Sequence, residues 1–96
     1  MNRVVYSARA LRDLERFSAF LREVDPSAAE DAVRTIVGAI HMLRGSPFVG
    51  RTTGRRGLRE LVVSYGKTGF VVLYRLRNEQ VEVIAMRHQR ERSFKR

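Results

Sequence analysis

The chain reads as a two-layer α+β domain, a helix hairpin packed on one face of a small antiparallel sheet in the order βααβββ. Three observations predict it. Apolar residues recur at three- and four-residue spacing in two stretches of residues 8–43. Three runs rich in β-branched and aromatic residues follow Gly57. The connections between those runs are so short that neighbours must be antiparallel. Ninety-six residues make one domain, residues 1–96, burying roughly 60–65% of the unfolded surface.

Arg3-Val4-Val5-Tyr6 is a short strand suited to an edge of the sheet. Ser7 then offers a hydroxyl to a free N–H of the first turn, capping a helix that runs to about Val24. Leu11, Leu14, Phe17, Leu21 and Val24, with Ala10 and Phe20 beside them, form its apolar stripe; Arg9, Arg12, Asp13, Glu15, Arg16, Arg22 and Glu23 fall mainly opposite. Asp25-Pro26 closes this helix and opens the next, because proline disfavours helix at the residue before it yet suits the first helical position. The second stripe is Ala29, Ala32, Val33, Ile36, Val37, Ile40 and Leu43, with Gly45 placed for a left-handed C-cap. Residues 46–56 form a long loop. The remaining strands are expected at about Leu58–Ser64, Phe70–Leu76 and Val81–Met86, turning at Gly66 to Gly69 and at Asn78-Glu79-Gln80. In the last strand Val81, Val83 and Ala85 alternate with Glu82, Ile84 and Met86.

The charge is uneven. Residues 1–45 hold seven Arg against six Asp and Glu (+1), whereas residues 46–96 hold twelve Lys and Arg against four Glu (+8). Such a surface attracts polyanions or an acidic protein partner. Without cysteine there is no disulfide framework and no thiolate metal site. No apolar run approaches the roughly 20 residues of a membrane span, and the N-terminus has no apolar h-region, so a cytoplasmic protein is expected.

Most catalytic patterns are missing. Gly66-Lys67-Thr68 lacks the earlier glycine of a phosphate-binding loop, since position 61 is Leu, and it joins two strands. His41 and His88 have no partners at ligand spacing, so no metal or cofactor is expected. What remains is basic: Arg51, Arg55, Arg56, Arg59, Arg75 and Arg77 gather at one end of the meander, and Arg87, His88, Arg90 and Arg92 at the other. Glu60 is expected in a structural ion pair with an arginine such as Arg75. His88 is the candidate general acid or base, as the side chain there that titrates near neutrality, with Arg87 and Arg90 able to stabilise charge on a phosphate.

Val4-Val5-Tyr6-Ser7, Asp13-Leu14, Ala32 to Ile40, Leu43, Pro47 and Gly50-Arg51 are followed by Arg59-Glu60-Leu61, Val72-Leu73-Tyr74-Arg75, Val83-Ile84 and His88-x-Arg90. In that order and spacing they resemble the RelE/ParE superfamily, the small basic toxins of bacterial type II toxin–antitoxin pairs. The resemblance covers nearly the whole chain and leans to the ParE-like branch, where a His-x-Arg ending is common. It implies a toxin that inhibits DNA gyrase, with Arg51, Arg55, Arg56, Arg59, Arg75, Arg90 and Arg92 meeting the target or nucleic acid. The alternative it implies is a RelE-like endoribonuclease cutting mRNA on the ribosome with His88, Arg87 and Arg90. Against that, the second meander strand, the third of the chain, has Val71-Val72-Leu73 where several nucleases carry an Arg, and Phe94 is the nearest aromatic to their C-terminal Tyr. Either branch implies a cognate antitoxin whose acidic segment folds on the toxin in a hetero-oligomer. A non-toxin alternative is a small basic nucleic-acid-binding module.

Overall fold

In a computed structural model describing residues 1–95, the elements are β1 (Arg3–Tyr6), α1 (Ala8–Val24), α2 (Pro26–Met42), β2 (Arg51–Thr52), β3 (Arg59–Tyr65), β4 (Thr68–Arg77) and β5 (Gln80–His88). Both expected N-caps form. Ser7 Oγ accepts the Ala10 N–H at 3.0 Å and the Asp25 carboxylate accepts that of Ser27 at 3.0 Å. Gly45 takes no left-handed conformation. Instead α2 tightens at its end, the N–H groups of Leu43, Arg44 and Gly45 each donating to the carbonyl three residues back. Asn2 then ties the Arg44 carbonyl to the start of β1.

The sheet order is β1-β5-β4-β3-β2. β3 to β5 are antiparallel as expected, and the expected loop contributes β2, a two-residue strand antiparallel to β3. β1 pairs parallel with β5, making the sheet mixed. The helix hairpin between them is the crossover that a parallel pair requires. Gly66, with φ +60°, sits first in the two-residue β3–β4 turn, while Asn78 and Glu79 both have positive φ in the β4–β5 turn.

Helices and sheet enclose Ala10, Phe17, Ala32, Ile36, Ile40 and Leu43 from above and Val63, Phe70, Val72, Tyr74, Val81, Val83 and Met86 from below. The buried face of α1 runs through Ala10, Asp13 and Phe17, so Asp13 lies inside rather than on the opposite face. Leu11, Phe20 and Val24 of the expected stripe are exposed. On β5 the simple alternation fails. Tyr74 pairs with Val83 but Leu73 pairs with Ala85, leaving Ile84 as the extra residue of a bulge. One inserted residue reverses every side chain beyond it. Met86 therefore joins the core and Ala85 turns to the outer sheet face.

β1 ends at Tyr6 opposite Val83, while β5 continues to His88. Side chains close the overhang. Ser7 donates its N–H to Val83 O at 2.9 Å and its hydroxyl to Ile84 O at 2.7 Å. Asp13 Oδ2 accepts Met86 N–H at 2.8 Å, and Glu91 Oε1 accepts His88 N–H at 2.9 Å. Arg16 bridges the two carboxylates, 3.5 Å from Asp13 and 3.1 Å from Glu91.

Candidate functional site

The bulge at Ile84 decides how the basic residues are distributed. Counting from Glu82 on the outer face, an unbroken strand would put His88 on that face as well. With the insertion, His88 turns to the helix side beside Phe70, its ring edge-on to the phenyl at 5.5 Å. Arg87, one residue earlier, faces outward opposite Val71. The sheet thus separates the two nearest members of the candidate catalytic trio.

The His88 and Arg87 side chains are also engaged. His88 Nδ1 accepts the Arg90 N–H at 3.1 Å, and Nε2 lies 2.8 Å from Thr68 Oγ1. Arg87 donates to the Glu91 carbonyl at 2.7 Å and stacks on Phe94, its guanidinium 5.3 Å from the ring centroid. Arg90 is exposed and uses only its backbone here. Arg92 is exposed as well. Thr68 entered the sequence reading only as part of the Gly66-Lys67-Thr68 turn, because only the β4–β5 register brings it to His88.

At the opposite end the expected Glu60–Arg75 pair does not form. Glu60 stands opposite Leu73 on β4 and opposite Arg51 on β2, and Arg51 takes it at 3.1 Å. Arg75 stands opposite Glu82 and donates to it at 2.6 Å, with Arg77 3.5 Å from the same carboxylate. The directly opposed cross-strand neighbour wins over the diagonal one. The Arg75 hydrogen bond outweighs partial burial, and with Arg77 it holds the Glu82 carboxyl below the ordinary range.

Arg59 turns inward to the loop, donating to the carbonyls of Phe48 at 3.1 Å and Gly50 at 2.8 Å while its guanidinium lies 5.2 Å from the Phe48 ring centroid. Tyr74 grips the same loop from the core, accepting the Gly50 N–H at 2.9 Å and donating to Pro47 O at 2.8 Å. Only glycine fits at position 50, where a Cβ would lie 2.5 Å from the Tyr74 oxygen and 2.9 Å from Glu60 O. Burial pushes the Tyr74 phenol up, against the Gly50 bond and the Arg59 charge. Arg55 and Arg56, at the β2–β3 tip, are exposed, and their side chains have no partner among the described residues.

A groove of about 810 Å³ opens between α1 and the β3–β4 hairpin. Phe17, Phe20, Leu21, Tyr65 and Phe70 give it an apolar floor; Arg16, Lys67, His88, Arg90 and Glu91 line it with charge and polarity, Glu91 being held by Arg16. Among the described residues no His, Asp and Glu cluster could hold a metal ion, and no helix is long and apolar enough to cross a membrane.

The family model for the ParE toxin of the type II toxin–antitoxin system parDE matches residues 4–93. The chain belongs to the ParE toxin family. This ParE-family chain is 35% identical to Toxin RelE3 of Caulobacter vibrioides over 92 residues, 96% of this chain and 99% of that protein. It is 34% identical to Toxin RelE1 of the same organism over 85 residues, 88% and 90% of the two chains. In fold it is similar to the chromosomal ParDE system of P. aeruginosa, with a TM-score of 0.77 at 20% identity over 92% of this chain and 96% of that one. The intact E. coli RelBE toxin–antitoxin complex gives a TM-score of 0.64 at 16% identity, over 96% and 100%. The ParE-family chain is thus a type II toxin of the ParE/RelE superfamily.

Proposed function

We propose that this toxin acts in the cytoplasm by binding and inhibiting DNA gyrase, and that a cognate antitoxin neutralises it. The observation that carries this reading is the engagement of His88. A general base needs a free lone pair within reach of the proton it takes. Nδ1 is used by Arg90 N–H and Nε2 by Thr68, while the Arg87 head serves the C-terminal carbonyls from the other side of the sheet. Arg51, Arg75 and Arg77 on the outer face are matched by Glu60 and Glu82, so that face offers few unpaired cations to RNA. For the antitoxin, the apolar groove beside α1, rimmed by Lys67 and Arg90, suits an acidic segment that folds on binding.

A second reading, a ribosome-dependent endoribonuclease, is favoured by the names of the relatives Toxin RelE3 and Toxin RelE1. Sequencing RNA 5′ ends minutes after induction without antitoxin, alongside a supercoiling assay with purified gyrase, separates the two. Gyrase inhibition is expected, with intact messages and little effect of His88→Ala. Codon-phased cuts that fall roughly 10²–10⁴-fold in His88→Ala would overturn it.

A further inference from the structure

We propose that the loop end of the sheet binds single-stranded nucleic acid, one base stacking on Phe48 and neighbouring phosphates held by Arg55 and Arg56. Phe48 is 64% exposed, yet it sits on a fixed support. Arg59 holds its carbonyl and stacks on its ring, and Tyr74 pins the residues on either side through Pro47 O and Gly50 N–H. A ring so mounted presents its exposed surface at low ordering cost. Base–aromatic stacking asks for no more than such a platform, and an arginine against the ring adds to it.

The β2–β3 tip, which leads through Leu58 into Arg59, carries hydrogen bonds of its own. Thr53 Oγ1 accepts the Arg55 N–H at 3.1 Å and donates to Leu58 O at 3.2 Å, while Gly54 and Gly57 supply φ of +84° and +75°. Between them stand two arginines with no acidic partner among the described residues, unlike Arg51 and Arg75. Residues 51–57, RTTGRRG, contain no apolar side chain. Phe48 and Val49 give a protein partner only a small apolar centre here, and the tip itself adds none, whereas phosphates need only the guanidinium forks. Bases inside a duplex stack on each other, so only an unpaired one can reach Phe48.

The test is fluorescence anisotropy with a labelled oligothymidine of about twelve nucleotides and a mixed-sequence duplex of equal length. Phe48→Ala and Phe48→Leu are each expected to weaken single-strand binding roughly 5- to 150-fold, with Phe48→Tyr near wild type. Arg55→Ala with Arg56→Ala should flatten the slope of log affinity against log salt by about 1.4. Unchanged far-ultraviolet circular dichroism confirms that each variant folds. The inference is overturned by absence of binding at low salt, by full affinity in Phe48→Leu, or by tighter duplex binding that ignores Phe48. Gyrase inhibition is read separately, so either proposal can fail alone.

Discussion

The Asp13 carboxylate accepts the backbone N–H of Met86 at 2.8 Å, joining positions 73 residues apart. Asp13 is 4% exposed, and past Tyr6 no strand among the described residues covers this side of β5. Asp13→Ala would leave a buried N–H unpaired, and the expected loss is about 1–3 kcal/mol. Asp13→Asn keeps an accepting oxygen and should lose less. Urea midpoints of the two variants check this; equal losses would show that the carboxylate's charge matters more than the hydrogen bond.

Tyr74→Phe removes one oxygen but strands two groups, the Gly50 N–H and the Pro47 carbonyl. A loss of about 1–3 kcal/mol is expected from the unpaired groups. Gly50→Ala should cost more, because its Cβ meets the Glu60 carbonyl, which is backbone and cannot swing aside. Denaturant titration of both variants ranks them, and a harmless Gly50→Ala would contradict the packing described.

Glu79 holds φ +60° in the two-residue β4–β5 turn, a conformation that costs a side-chain-bearing residue about 1–2 kcal/mol. Asn-Gly is the pairing this turn favours. Glu79→Gly is therefore expected to stabilise the fold by about 0.5–1 kcal/mol, since glycine's own chain entropy offsets part of the relief. Thermal unfolding should show Tm raised by roughly 2–8 °C. An unchanged or lower Tm argues that the Glu79 side chain contributes more than its backbone strain removes.

Acid should weaken the fold through Glu82 and Glu91. Burial pushes the Glu91 carboxyl up, but the His88 N–H and the charges of Arg16 and Lys95 outweigh it and leave it below its ordinary 4.5. Glu82 is lowered from the same value by Arg75 first, then Arg77. Both carboxyls hold their protons less tightly when folded. Their stabilisation is thus complete above about pH 4.5 and drains away as pH falls through the lowered folded values. Urea midpoints from pH 7 to pH 3 should fall mainly below that point, and less steeply in Glu91→Gln.

The helices and hairpins were legible because their determinants are local. Ser7 and Asp25 announce their caps within three residues, and Gly66 its turn within two. Partners set by register were not. Nothing in the run from Val81 to Met86 marks Ile84 as an inserted residue, yet that insertion sends His88 to the helix side and Arg87 to the outer face. The same geometry gives Arg75 to Glu82 and leaves Glu60 to Arg51, a residue of a strand only two residues long. Asp13 looked like a solvent-face residue because its neighbours Arg12 and Arg16 are charged. Its place between Ala10 and Phe17 on the buried stripe was the available signal.

The closure of β5 by Ser7, Asp13 and Glu91 bears on self-association. A sheet border with vacant N–H and C=O groups is a template on which another copy can lay a strand. Here a hydroxyl and two carboxylates already hold the donors and acceptors that a nine-residue strand extends beyond its four-residue neighbour. Removing them would do more than loosen a fold. It would expose a border able to recruit copies of the chain, so loss of these small polar groups should be felt as aggregation as well as melting.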